Sequence, residues 1–140
     1  SRRMRLDLLV NDFCYRAAND GFMVLYEGHF RRNFIHVQDV ADIFIKCLTA
    51  PERYIGEIFN VGLSEANLTK IELCERIKTV FPDFNYFCAE FATDPDQRDY
   101  IVSNQKLENT GWRPLVSLDT GLRELKSGLS SIKKYGHANI

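Results

Sequence analysis

Arg31-Arg32-Asn33-Phe34-Ile35-His36-Val37-Gln38-Asp39-Val40-Ala41 is the stretch from which the rest of the chain can be read. A charged pair runs into a short β-prone segment, and an Asp then opens an apolar-periodic helix. That order puts Arg32 at the mouth of a strand, where its rigid fork of N–H donors can meet an anion from an adjoining cleft. Residue physics alone favours a plainer reading, in which the two arginines are a solvated strand end.

Outward from this stretch, helices and strands alternate. Met4, Leu8, Leu9, Phe13 and Ala17 recur at helical spacing and predict a helix over 4–18, stopped at Asn19-Asp20-Gly21. Phe22–Tyr26 reads as a strand and 33–37 as a second. Asp39 is the expected N-cap of a helix through about Leu48, with Val40, Ile43, Phe44 and Cys47 on one face. A strand is expected over 57–61, closed by Gly62. Thr69-Lys70-Ile71-Glu72 has the form of a capping box and starts a helix to about Val80, broken by Pro82-Asp83. Asn85–Ala89 reads as a strand, Asp94-Pro95-Asp96 as a turn, and 100–102 as a short extended piece. A short helix over 104–110 stops at Gly111. A last helix over 118–134 turns Leu118, Leu122, Leu125 and Leu129 inward. The expected class is α/β.

The chain of 140 residues is long enough for one domain with a core. With 45% hydrophobic and 26% charged residues it reads as a soluble globular protein. A formal net charge of -1 gives no electrostatic reason to expect nucleic acid or an anionic membrane. No apolar run approaches the ~20 residues of a membrane span. Ser1-Arg2-Arg3-Met4-Arg5 is basic, but no small-residue cleavage pattern follows, so no signal peptide is expected. Cys14, Cys47, Cys74 and Cys88 form no CxxC pair. They are read as reduced thiols of a cytoplasmic protein, with Cys47 and Cys74 on apolar stripes. His29, His36 and His137 are too scattered for a zinc site, and no metal is expected.

The opening stretch resembles the Arg-Xaa-Phe/Tyr-Ile-His-Val-Xaa-Asp-Val/Leu-Ala segment in the C-terminal part of extended short-chain dehydrogenase/reductases. These are the NAD-dependent nucleotide-sugar epimerases and dehydratases. Phe59-Asn60-Val61-Gly62, followed by a Ser/Thr that starts a helix, is similar to the family's Tyr/Phe-Asn-Val/Ile-Gly. Asn60 itself is read as satisfying backbone groups at a strand exit. The run from Asp94 to Leu107, then Gly111-Trp112-Arg113-Pro114, then Leu118-Asp119-Thr120-Gly121-Leu122, keeps the family's order of Arg-bearing loop, short helix and final helix. The family often carries Arg-Pro-Gly ahead of an acidic residue in that loop, and this chain has Thr93-Asp94-Pro95-Asp96 instead.

The resemblance implies four substrate-binding residues. Arg32 and Arg98 would hold the diphosphate of a nucleotide-sugar. Asn11 matches an Asn that contacts the nucleotide-sugar, and Tyr26 an aromatic residue that covers the nucleobase. Plainer roles stand beside these: Arg98 paired with Asp96 or Asp99 on the surface, Asn11 capping or facing water, Tyr26 in the core.

The family binds NAD through a Gly-rich loop after the first strand, and no Gly-Xaa-Xaa-Gly-Xaa-Xaa-Gly occurs here. Its catalytic pair is Tyr-Xaa-Xaa-Xaa-Lys. None of Tyr15, Tyr26, Tyr54, Tyr86, Tyr100 or Tyr135 has Lys four residues later. No catalytic or cofactor-binding residue is therefore assigned. The expectation is the substrate-binding, C-terminal part of an extended Rossmann-type enzyme, with helices alternating with short strands. Its NAD-binding Rossmann domain is absent from this chain. The resemblance implies NAD or NADP and a homodimer in the intact enzyme, and no cofactor on this chain alone. Two alternatives are a non-catalytic nucleotide-sugar module and an interaction domain derived from the fold. Without the Rossmann domain, Phe34, Ile43, Phe44, Ile58 and Phe59 are expected to lose part of their cover, which favours self-association.

Overall fold

The computed structural model describes residues 4–89, 98–131 and 138–139. The chain runs β1 (Met4–Arg5), α1 (Leu9–Asn19), β2 (Phe22–Tyr26), β3 (Arg31–Asn33), α2 (Val37–Thr49), β4 (Asn67–Thr69), α3 (Lys70–Val80), β5 (Asn85–Ala89), α4 (Gln105–Glu108), α5 (Leu118–Ser131) and β6 (Ala138–Asn139). One-turn 3-10 helices lie at Pro51–Arg53 and Ser64–Ala66. The expected α/β alternation is present.

β2 and β5 pair in parallel, from Phe22 opposite Asn85 to Tyr26 opposite Ala89. The period-two pattern of β2 sends Met23 and Leu25 inward. There they meet Phe13, Cys14 and Ala17 of α1, Leu73, Cys74 and Ile77 of α3, and Leu122 and Leu129 of α5. Phe81 and Phe84 complete this cluster. Each such buried side chain contributes on the order of 1.5–3 kcal/mol. Burial in this apolar cluster pushes the Cys14 and Cys74 thiols up to about 12, so both behave as small core hydrophobes. Leu118 and Leu125 pack against the same core, so the inward stripe of the last helix is as expected. A second cluster joins Ile43, Tyr54, Leu107 and Trp112.

The structure corrects several boundaries. The first helix begins at Leu9 rather than Met4, because the guanidinium of Arg5 folds onto Asp7 and Asn11 Nδ2 donates to Arg5 O at 2.9 Å. Those contacts make a turn of residues that spacing alone placed on the helix. β3 begins two residues earlier than expected and ends at Asn33, where its antiparallel partner β4 begins with Asn67. The N-cap of α2 is His36, whose Nδ1 accepts the Gln38 N–H at 3.2 Å. Asp39 is buried and used at long range: its carboxylate accepts the N–H groups of Leu115 at 2.8 Å and Val116 at 3.1 Å. Phe44 does not share the inward face of α2 and is 67% exposed.

Residues 57–61 form no strand: among the described residues no backbone ladder pairs with them, and the neighbouring 103–106 segment meets them through side-chain hydrogen bonds. Ile58 is 87% exposed, and its carbonyl is taken by Lys106 Nζ at 2.9 Å. Of the five residues expected to lose cover, Phe44 and Ile58 are bare, whereas Ile43 is buried in the second cluster. Phe34 and Phe59 are half-buried against the first and second clusters.

Local signals held elsewhere. Gly21 takes φ +67 just beyond α1, as the helix stop requires. Thr69 and Glu72 close a reciprocal capping box at the start of α3. Gly111 takes φ +90 after α4. The Asp94-Pro95-Asp96 turn and the end of the last helix beyond Ser131 lie outside the described residues.

Candidate functional site

The strand-mouth position of Arg32 opens on a cleft of about 1480 Å3, walled by α1, β2, β3 and the start of α5. Arg32 is 6% exposed. Its Nη1 donates to Arg31 O at 2.9 Å, and its guanidinium lies 5.3 Å from the centre of the Tyr100 ring. Burying a guanidinium against an aromatic face costs hydration that cation–π attraction partly offsets. A solvated strand end, the plainer sequence reading, does not describe Arg32. It does describe Arg31, which is exposed and turned the other way.

Arg98 reaches the same cleft through a strap. Asp99 accepts from the backbone N–H of Arg31 at 2.8 Å and from its Nε and Nη2 at 3.0 Å each. Tyr100 N–H donates to Arg31 O at 3.3 Å. Further along, Val102 N–H donates to Asn67 Oδ1 at 2.9 Å, and Asn60 Nδ2 donates to Ser103 O at 3.2 Å. Asn60 thus has the backbone-satisfying role read for it. The Arg31 guanidinium and N–H hold the Asp99 carboxyl down at about 2. That carboxylate, one of the two surface partners weighed for Arg98, faces Arg31; the other, Asp96, lies outside the described residues.

Asn11 and Tyr26 line the cleft as well, so all four residues singled out in the sequence come together. Tyr26 is not a core residue: it alternates outward from β2. Asn11 neither caps α1 nor leaves its Nδ2 to water, since that group donates to Arg5 O.

Sequence reasoning missed Lys70 and gave His36 no role beyond its place in the family segment. Lys70 lines the cleft at 2% exposure, with Nζ donating to Tyr26 O at 3.1 Å and lying 5.6 Å from the Phe30 ring centre. A signal was available: Lys at the first position of a helix opposes the macrodipole, so a reason other than helix propensity must keep it there. His36 lines the far side, its Nε2 3.0 Å from Glu124 Oε2. With Nδ1 accepting from Gln38, the proton of a neutral ring sits on Nε2 and is donated to Glu124.

Two buried cations, a third from the strap, a carboxamide and an exposed phenol suit an elongated anion with an aromatic end. Two glycines of the described residues let the protein's own side chains approach closely: a Cβ at Gly28 would lie 2.7 Å from Ile71, and one at Gly62 would run into Asn33 Oδ1. Among the described residues no three metal-ligating side chains cluster, and no helix is long and apolar enough to cross a membrane.

Comparison with known proteins agrees with this architecture. A family model described as the NAD dependent epimerase/dehydratase family matches residues 6–62. A Mus musculus protein named dTDP-D-glucose 4,6-dehydratase is 32% identical over 101 residues, spanning 67% of this chain and 28% of that protein. GDP-L-fucose synthase 1 of Arabidopsis thaliana is 37% identical over 95 residues, 66% of this chain and 28% of that protein. The chain thus spans less than a third of the length of either relative. The solved Thermus thermophilus UDP-glucose 4-epimerase in complex with NAD superposes with a TM-score of 0.71 at 23% identity, over 88% of this chain and 40% of that one. At that identity the likeness speaks for the fold alone, which is that of part of a Rossmann-fold structure. Motif order, family match and fold agree, and the chain belongs to the NAD-dependent epimerase/dehydratase family.

Proposed function

We propose that this chain is the substrate-binding portion of an NAD- or NADP-dependent nucleotide-sugar epimerase or dehydratase. The Gly-rich loop and the Tyr-Lys pair belong to an N-terminal Rossmann domain of the intact protein, which works as a homodimer in the cytoplasm. The observation that carries this reading is the meeting of Asn11, Tyr26, Arg32 and Arg98 in one cleft. In that cleft Arg32 and Arg98 hold the diphosphate by charge-assisted hydrogen bonds. Tyr26 covers the nucleobase and Asn11 directs a carboxamide at the ligand. The chain orients the sugar and leaves hydride transfer to the missing domain.

The test is a thermal-shift screen against nucleotide-sugars of UDP, dTDP, GDP and CDP, repeated with the Rossmann domain supplied in trans. Stabilisation by one of them, with turnover only when both parts are present, is the expected result. A chain that neither binds nor complements, yet forms a stable complex with an unrelated protein, would overturn it in favour of an interaction domain.

A further inference from the structure

We infer that Lys70 is a positioning residue of the nucleotide-sugar site, a buried clasp that fixes the turn between the aromatic wall and the arginine of the cleft; this rests on the function proposed above. The turn runs from Tyr26, the last residue of β2, to Arg31, the first of β3. Lys70 holds it at Tyr26 and at Phe30, the residue before Arg31. Its backbone N–H donates to Phe30 O at 3.1 Å, and its Nζ donates to Tyr26 O at 3.1 Å. The next amide, Ile71 N–H, donates to Gly28 O at 3.0 Å. Inside the turn Glu27 is held at φ +48, which a non-glycine residue adopts only when its surroundings impose it.

The clasp is built at a cost that a purely structural contact would not need. An ammonium is brought to 2% exposure at the first residue of α3, where the helix field opposes a cation. A buried positive charge on the cleft wall also favours a polyanionic ligand, because the low-dielectric surroundings screen it little. Lys70 therefore ties the placement of Tyr26 to that of Arg32, and so the spacing between the base and diphosphate ends of the cleft.

The test uses the intact protein and isothermal titration with UDP, dTDP, GDP and CDP, each probed separately. Lys70→Met, which keeps the apolar stem and removes the donor and charge, should bind the preferred diphosphate about tenfold more weakly, the scale of one charge-assisted hydrogen bond. Lys70→Arg should recover most of that loss. In the assembled enzyme the Lys70→Met defect should appear in KM rather than kcat. A merely structural lysine would lower the melting temperature and leave affinity and KM unchanged, and that result overturns the inference alone. If the wild-type protein binds none of the four, the proposed function fails and the clasp with it. Should Lys70→Met not fold, the wild-type 15Nζ resonance of Lys70 decides. It should move on adding the diphosphate more than that of the exposed Lys46, and an unmoved signal overturns the inference.

Discussion

Asp99 takes three hydrogen bonds from Arg31, one from its backbone N–H at 2.8 Å and two from its guanidinium at 3.0 Å each. The pair joins residues 68 apart in sequence and fastens the strap to β3 one position away from both cleft arginines. Its function is therefore indirect. Asp99→Ala should loosen Arg98 and weaken nucleoside diphosphate binding about threefold to tenfold while Arg32 keeps its place. Titration calorimetry on the variant is the check, and an unchanged affinity would show that the strap needs no such fastening.

The same pair sets an acid limit. The Asp99 carboxyl lies at about 2 in the folded chain against 3.8 for the free group. A depressed folded value contributes stability that is present above about pH 4 and fades as pH falls toward 2. Melting curves over that window should fall less steeply for Asp99→Asn than for the wild type. Equal slopes would mean that the clamp does not couple to folding.

Arg32→Ala and Arg98→Ala should each weaken nucleotide-sugar binding by roughly 1–3 kcal/mol, the scale of losing a charge-assisted hydrogen bond. Arg32→Ala should also cost stability, because the guanidinium fills the space beneath Tyr100. Arg98→Ala, on the exposed strap, should leave the denaturation midpoint nearly unmoved. Paired titration and urea melts separate the two effects.

Gly62 sits where the side chains of Asn33 and Asn104 converge. An added Cβ would run into Asn33 Oδ1 and lie 2.9 Å from Asn104 Oδ1. Asn33 also donates to Leu63 O at 2.8 Å, so it cannot yield without breaking that bond. Gly62→Ala should therefore destabilise the chain by about 1–3 kcal/mol, the range for overpacking a filled site. A shift of the urea midpoint at constant slope is the expected observation.

Val37, Phe44 and Leu48 follow helical spacing along α2, and Phe44 and Leu48 are 67% and 82% exposed. Leaving ~400 Å2 of apolar surface in water would forgo about 10 kcal/mol, comparable to the stability of a whole domain. The isolated chain should self-associate in sedimentation runs, and Phe44→Glu with Leu48→Glu should return it toward monomer. A well-folded wild-type monomer at micromolar concentration would show that α2 needs no cover.

The parts of this fold that were legible are those decided within a few residues. The alternation of Phe22–Tyr26, the Thr69–Glu72 box and the leucine stripe of α5 depend on neighbours close in sequence. Where the decision is made at a distance, local pattern misled. Asp39 looks like a cap until the amides of Leu115 and Val116 arrive to claim it. The stretch 57–61 has strand composition but no backbone ladder among the described residues, and composition cannot supply a partner. Lys70 does not stand out in the sequence, because the capping box of Thr69 and Glu72 accounts for its neighbours. At the site, the resemblance singled out four residues that share one cleft, while spacing alone held no information about the clasp behind them.

Arg31 and Arg32 are chemically identical and adjacent, yet one fastens the strap and the other enters the cleft. The division is made by the parity of the strand, since consecutive side chains leave it on opposite faces. Deleting one residue between Gly28 and Arg31 while the turn kept its length would slip β3 by one position against β4, put Asn33 where Arg32 enters and turn Arg32 outward, with every arginine still present. Such a deletion mutant should keep its arginines and lose its ligand. The register of β3 against β4 is thus as much a determinant of recognition as any residue in it.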